Sequence, residues 1–487
     1  MKNRSIKMNF LMNIILTMSN FIFPLITFPY VSRILLPVGT GRVSFATSLI
    51  SYFVMFAQLG IPTYGIRACA KVRDNREELT RTAQELLIIN IVMSIISYIV
   101  LFIVLFTVPK FAEDRSLYII ISLTIILTSI GVEWLYKALE QYTYITIRSI
   151  IFKFVALIAM LALVKTKSDY VLYGAISILA SSASNIFNFI NVHKYIDLKP
   201  IGIYDFKRHF KAIGTFFAMA CATTIYTHLD TVMIGFLKTN VDVGYYNAAV
   251  KIKQILVSIV TSLGAVLLPR ASYYIENSME NEFKKLTKKA ISFVFIIATP
   301  MMLYFILFAK EGIFFLSGNA YAGSIIPMQL IMPTLLFIGI TNVLGIQILV
   351  PLGKEIVVLY STIAGAIVNV VINVILIPNF SSTGAAIGTL VAEFMVLLIQ
   401  FLALKDEVLS IFKRIHYIRI VIACILGTFA SIWIKFLSIG DFITLVISGV
   451  LFFGVYDIVL LMMKEEMILE IRNMLLGKIK KILRITN

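Results

Sequence analysis

Chemistry-bearing side chains are few in this chain. Its 487 residues include three cysteines and four histidines. Cys69, Cys221 and Cys424 stand far apart, in or beside apolar stretches, and suggest neither a disulfide framework nor a metal site. The histidines are equally scattered. No Walker loop, HExxH or GxSxG occurs, so the signatures of direct ATP use, zinc proteolysis and serine hydrolysis are missing. Charge is also scarce, at 14% of residues, and unbalanced, with 26 acidic against 43 basic side chains. Long polar segments are missing too. The outer loops are too short for the catalytic domain of a membrane polymerase, glycosyltransferase or acyltransferase, which argues against an enzyme.

What is abundant is apolar sequence. Hydrophobic residues make up 59% of the chain and its mean hydropathy is +0.93, where a soluble protein has about 45–50% apolar residues. Runs of about 20 apolar residues recur, each long enough to cross a ~30 Å hydrocarbon core as a helix. The reading is an all-α polytopic membrane protein with about fourteen spans, at 9–31, 43–66, 83–107, 116–138, 146–164, 169–191, 211–236, 243–269, 290–309, 322–348, 355–377, 384–404, 419–436 and 442–463. With the N-terminus inside, 32 of the 43 basic residues fall in inner segments and 9 in outer ones. That asymmetry places both termini in the cytoplasm. It also explains the net charge of +17 without any role for nucleic acid.

The chain repeats itself. Gly244 follows Gly41, and Arg270 follows Arg67, each by 203 residues. Leu263-Gly264 answers Leu59-Gly60. Ser129-Ile130-Gly131 resembles Phe337-Ile338-Gly339, and the segment at Gly174 resembles the one at Gly384. The common order predicts two pseudo-symmetric six-helix bundles, 1–205 and 206–410, inserted with the same orientation. Two extra helices (411–463) and a tail (464–487) follow. In the tail Ile468, Ile471, Leu475, Ile479 and Leu483 recur at helical spacing beside Lys478, Lys480, Lys481 and Arg484. This pattern predicts an amphipathic helix on the anionic inner leaflet.

Ionisable groups inside spans cost roughly 2.5–3.5 kcal/mol each at a helix centre and face cavities or one another. Arg33 follows a span broken by Pro24 and Pro29; it reads equally as a cavity residue for an anionic group and as an interfacial anchor. Arg67 and Arg270 end pseudo-equivalent spans. Facing each other across a cleft they would hold a phosphate or pyrophosphate bidentately, although the positive-inside rule alone also accounts for them. Lys251 and Lys253 point about 200° apart on a helix, and Lys251 shares the face of Asn247. Asp230 and His228 lie in a polar run with Tyr226. Asp230 either pairs with a lysine of the next span or serves proton or cation coupling. Glu133 stands four residues before Lys137, a spacing that allows a local pair. Glu393 is a single acid in a late span with no obvious partner.

FPYVSRILLPVGTGRVSFA (28–46), LGIPTYGIRACA (59–70), EWLYKALEQYTYITIRSI (133–150), IYTHLDTVMIGFL (225–237), VGYYNAAVKI (243–252), LLPRAS (267–272), TNVLGIQILVPLGKE (341–355) and STGAAIGTLVAE (382–393) together resemble the Wzx-type polysaccharide repeat-unit flippases. These belong to the MATE-like MOP exporter superfamily, and the likeness covers nearly the whole chain. It implies a multi-pass protein of the bacterial cytoplasmic membrane, with two V-shaped six-helix bundles plus two helices. It further implies export of undecaprenyl-pyrophosphate-linked oligosaccharide by alternating access, without a cofactor and with a proton or sodium gradient as an alternative source of coupling. Membrane lipids and a polysaccharide polymerase are the other expected partners. Lipid II flippases are cousins: Ser32-Arg33 followed by Leu35 resembles their first-helix arginine motif, and Arg67 and Arg270 fall where they carry cavity arginines. Tyr226, Asn247 and Lys251 would complete the substrate cavity. The chain departs from the cousins after Leu36, where it has Pro37. A lipid II flippase and a cation-coupled antiporter of the same fold are the alternatives; the antiporter would need an acidic cavity, and this one reads as basic. The Ile-, Lys- and Asn-rich usage fits a low-GC bacterium.

Overall fold

Residues 6–437, 439–470 and 472 are described by the computed structural model, and every regular element among them is helical. Among the described residues ten helices are long and apolar enough to cross a membrane. A pair bent by 46°, Asn319–Ile331 and Thr334–Leu349, makes an eleventh. The chain is a multi-pass membrane protein that forms two compact units, Met1–Asn247 and Ala248–Asn487.

The first unit opens with α1 (Ile6–Gln58), interrupted at Leu36, whose φ of 58° and ψ of 179° break the helix. Side chains avoid that region at a cost of about 1–3 kcal/mol, and Pro37 restarts the helix where a proline's missing N–H is harmless. Leu59 and Gly60, both with positive φ, end α1 and turn the chain into α2 (Ile61–Lys71). The second expected span therefore stops short of residue 66. Asn75 caps α3 (Arg76–Thr107), its side chain accepting the N–H groups of Glu77 and Glu78, as an N-cap amide does. Then come α4 (Arg115–Ile130), α5 (Glu133–Ala138), α6 (Tyr142–Leu163), α7 (Tyr170–Ile178), α8 (Asn185–Asn191) and α9 (Lys207–Leu237). The span expected at 116–138 is broken by Val132, which has positive φ. The one at 169–191 is interrupted by a π-helical stretch at Leu179–Ala183.

Hydrogen bonds show that α1 doubles back. Along its first limb Thr146 bonds the Met12 carbonyl at 3.0 Å, Lys153 bonds Ser19 at 2.6 Å, and Tyr30 bonds the Val164 carbonyl at 2.9 Å. That limb runs parallel to α6. Along the second limb Arg42 bonds Asp114 at 2.9 Å, Phe45 stacks near Phe111 and meets Tyr118 edge to face, and Gln58 bonds Ser129 at 3.1 Å. This limb runs parallel to α4. Tyr170, just after α6, bonds Arg42 at 3.0 Å, so α6 ends where α4 begins and the two limbs of α1 are antiparallel. In the loop before α7, Asp169 accepts the N–H groups of Lys165 and Thr166 at 2.8 and 2.7 Å, which hold its carboxyl below the usual range.

α9 lies along the second limb of α1 and returns as the start of α10 (Asn240–Glu276). The first unit thus includes α9, beyond the 205/206 boundary drawn from the repeat. The two turns meet at glycine. A Cβ on Gly41 would stand 1.7 Å from the Asn240 carbonyl oxygen, and one on Gly244 2.2 Å from the Pro37 carbonyl oxygen. Pro37 and Asn240 are themselves 203 residues apart, so the contact is reciprocal between repeat-equivalent positions. The foot of α9 is held by Glu85, whose side chain is fully buried. Arg208 donates to it at 2.6 and 2.9 Å, His209 Nε2 lies 2.7 Å away, and the Asp205 N–H donates at 2.7 Å.

The second unit continues α10 and adds α11 (Glu280–Leu307), α12 (Ala309–Ser317), α13 (Ile325–Ile331), α14 (Thr334–Thr341), α15 (Glu355–Ala403), α16 (Lys405–Phe412), α17 (Tyr417–Ser431) and α18 (Asp441–Met462). The span expected at 322–348 is bent between α13 and α14 and becomes π-helical at Asn342–Leu349. α15 breaks at Ser381 (φ 49°, ψ −127°) and is a second hairpin. Gln400 bonds Ser361 at 3.0 Å, and a Cβ on Gly388 would lie 2.2 Å from Asn373 Oδ1. α17 and α18 pack against each other. Of the expected amphipathic tail, residue 471 and everything after 472 lie outside the described residues. Glu466 and Glu470 pair with Lys288 and Lys289 at 3.2 and 2.8 Å.

Gly41→Ala and Gly244→Ala should each lower stability by about 1–3 kcal/mol, the usual cost of overpacking, because the obstructing atoms are backbone. Gly214→Ala, which meets nothing within 4 Å, should be neutral or stabilising by about 0.4–1 kcal/mol. Glu85→Gln should destabilise by about 3 kcal/mol because the Arg208 guanidinium and the His209 imidazole lose their buried counter-charge, whereas Glu133→Gln, in a half-exposed pair, should cost under about 1 kcal/mol. Thermal unfolding of the purified variants in detergent checks all five.

Candidate functional site

Where α9, the second limb of α1 and the first turns of α10 run side by side, apolar helices bring polar side chains to one place. The turn contact at Gly41 and Gly244 fixes the register. Nine residues before the end of α9, His228 then faces α1, its Nδ1 3.3 Å from Ser48 Oγ. Asp230, buried, accepts a hydrogen bond from the Tyr246 hydroxyl. One residue on, Asn247 donates to Thr231 at 3.5 Å and to the Val243 carbonyl at 3.0 Å. The field of the Asp230 carboxylate reaches Tyr52, whose buried hydroxyl has no hydrogen-bond partner. Tyr226 is half-buried on the same helix. Phenols, an imidazole, an amide, hydroxyls and one carboxylate thus share a membrane-embedded zone. Such a set can hydrogen-bond a sugar's hydroxyls, or hold a proton or a monovalent cation at Asp230. Among the described residues no group of His, Cys, Asp and Glu could hold a metal ion.

The cations are distributed differently. Arg33 precedes the Leu36 break, is exposed, and donates to the Pro29 carbonyl at 2.6 Å. Arg67 is exposed on α2, a separate short helix rather than the end of a long span. In the second unit Arg270 is exposed and Lys251 half-buried on α10, and Glu393 is buried in α15. Glu133 bonds Lys137 at 2.8 Å, as its spacing allows, and lies 4.0 Å from Arg148.

Several groups escape a reading of the sequence. Tyr246 is the phenol on Asp230, and only the fold aligns the two helices. Glu85 and His209 are 124 residues apart, and Tyr64 completes their chain with its hydroxyl 2.8 Å from His209 Nδ1. A lone glutamate inside an apolar span and the Arg208-His209 pair were the available signals. Lys153, counted on position with the inner loops, sits in the middle of α6 and is buried.

The comparisons agree with this architecture. A family model described as polysaccharide biosynthesis protein matches residues 6–275, and a MatE model matches 216–375. A "Putative O-antigen transporter" of Escherichia coli (strain K12) is 24% identical over 81% of this chain and 95% of its own length. A protein of the same name from Shigella dysenteriae is 23% identical over 82% of this chain and 100% of its own. Among solved structures, a lipid II flippase, MurJ, in an inward closed conformation superposes with a TM-score of 0.67 at 16% identity, covering 92% of this chain and 98% of that one. An inward-facing multidrug resistance MATE family transporter gives 0.62 at 13%, covering 83% and 99%. At those identities the two structures show the fold. The family model spans more than half of the chain, and the chain therefore belongs to the polysaccharide biosynthesis protein family, the Wzx-type relatives that its sequence resembles.

Proposed function

We propose that this protein is a flippase that carries an undecaprenyl-pyrophosphate-linked oligosaccharide from the inner to the outer leaflet of a bacterial cytoplasmic membrane by alternating access. One observation carries the reading: near full-length similarity to two proteins named as O-antigen transporters. The physical logic supports it. A pyrophosphate cannot cross hydrocarbon alone, because burying unpaired charge is costly. Arg33, Arg67, Lys251 and Arg270 would replace water around it, while Tyr226, Asn247 and their neighbours meet the sugar hydroxyls and the prenyl tail stays in lipid. Asp230, His228, Glu133 and Glu393 are the groups available for coupling to a proton or sodium gradient.

Fourteen crossings fit this proposal. At ~1.5 Å per residue a helix of 53 residues would be roughly 80 Å long, more than twice the ~30 Å core; α1 and α15 therefore each cross twice. Those two divisions, the bent pair and α10 bring the ten long helices to fourteen, with both termini inside by the distribution of basic residues. The repeat groups the first twelve into two bundles that rock about the site, opening and closing the turn contact at Gly41 and Gly244. A polymerase of the same pathway would receive the product.

The test uses purified protein in liposomes containing a fluorescent undecaprenyl-pyrophosphate oligosaccharide, scored by accessibility to an external glycosidase. Wild type should make the lipid accessible, and Arg67→Ala and Arg270→Ala should each slow it by at least about ten-fold, the scale of one charge-assisted hydrogen bond. No movement by wild type, together with cation-driven dye efflux, would favour the antiporter reading.

A further inference from the structure

The first limb of α1 and α6 leave a groove between them of about 300 Å³. Its walls are apolar side chains, among them Met18, Ile22, Ile26, Phe154 and Leu157, with Lys153 in the lining. Lys153 is 8% exposed. Its ammonium donates to Ser19 Oγ at 2.6 Å and to Asn20 Oδ1 at 2.5 Å. Both partners are neutral. Among the described residues no carboxylate lies within ion-pairing distance; Glu133, whose field reaches Lys153, is held by Lys137 at 2.8 Å. An ammonium has three donors, so one remains beyond these two bonds.

Position decides what could meet it. Lys153 stands eleven residues from the start of α6 and ten from its end, roughly 15 Å from either at ~1.5 Å per residue. In a hydrocarbon core of ~30 Å that is the midplane. A resident phospholipid keeps its phosphate at the surface and cannot bring it there. An embedded cation without a counter-ion is expensive to maintain and marks an ion pathway. The anion that reaches this depth is one whose headgroup is crossing.

We infer that the α1–α6 groove is a binding site for the polyprenyl pyrophosphate of the cargo in mid-passage. The prenyl chain lies along Met18, Ile22 and Phe154, and the pyrophosphate takes the remaining donor of Lys153. Ser19 and Asn20 hold the ammonium in place between passages. This rests on the flippase reading and adds to it a way-station outside the α1–α9–α10 cluster, on a lysine that loop counting assigned to the cytoplasm.

The experiment uses the full chain in nanodiscs of phosphatidylethanolamine and phosphatidylglycerol. The probes are undecaprenyl pyrophosphate with a diazirine on its chain, and undecaprenol with the same diazirine. Adducts are mapped by mass spectrometry. The pyrophosphate probe should label 15–26 and 150–157, and the alcohol should label them about ten-fold less, the scale of a lost charge-assisted hydrogen bond. Lys153→Met should remove the difference, Lys153→Arg should keep it, and excess phosphatidylglycerol should not compete. Ile22→Trp, which fills the groove and leaves Lys153 intact, should reduce labelling by both probes and covers the case in which Lys153→Met fails to fold. Equal labelling by the two probes, or an unchanged Lys153→Met, would make the lysine a strut between α1 and α6 and overturn the inference. Competition by phosphatidylglycerol would make the groove an ordinary lipid site, with the same consequence. Liposome translocation by the same wild-type preparation separates the two claims: movement of the cargo without selective labelling sinks the site alone, and absence of movement sinks the flippase reading, while the pyrophosphate-to-alcohol comparison still decides the site.

Discussion

Two backbone contacts at glycine set the geometry of the first unit. Gly41 lies against the Asn240 carbonyl and Gly244 against the Pro37 carbonyl, and neither position has room for a Cβ. The closeness matters because the elements joined there are long. Once the turns are seated, α9 runs down the second limb of α1 with little freedom to slide. A displacement of one residue would rotate it by about 100° and separate His228 from Ser48. The polar cluster on α1, α9 and α10 is thus a consequence of the turn contact as much as of its own hydrogen bonds.

The embedded charges follow three different arrangements. Glu85 is surrounded by guanidinium, imidazole and backbone donors, which makes it a fastening for α9. Asp230 accepts a hydrogen bond from the Tyr246 phenol. Lys153 has neutral partners and opens onto an apolar groove. In hydrocarbon the strength of a charge's counter-ion decides whether it holds structure or stays available. By that measure Glu85 is architectural, whereas Lys153, held only by neutral partners, is the group to which the inferred cargo contact falls.

The class of fold was legible because hydropathy writes itself directly into sequence: twenty apolar residues need a helix in lipid whatever they pack against. Gly41 and Gly244 stood out in the sequence by their 203-residue spacing, and the structure gives each of them a contact that leaves no room for a Cβ. The Glu133–Lys137 pair was legible because its four-residue spacing is local. What was hidden is long-range. The hairpin in α1 was legible from the two expected spans, 9–31 and 43–66, and its break at Leu36 stands before Pro37, where the α region is disfavoured; what the sequence did not show is which helices its limbs lie along, α6 and α4. Glu85 finds His209 across 124 residues. Lys153 falls inside the expected span 146–164 yet was counted with the inner basic residues, because a charge was taken to mark the edge of a span; in the structure it stands in the middle of α6.

The most direct test of the account asks whether the turn contact must open for lipid to cross. Cysteines at Val38 and Val241, beside the two contacts, would be joined by a reducible bifunctional reagent, with Cys221 replaced by serine, and translocation measured before and after reduction. The account predicts loss of translocation in the cross-linked protein and its recovery on reduction. Undiminished translocation with the turns tied together would contradict it.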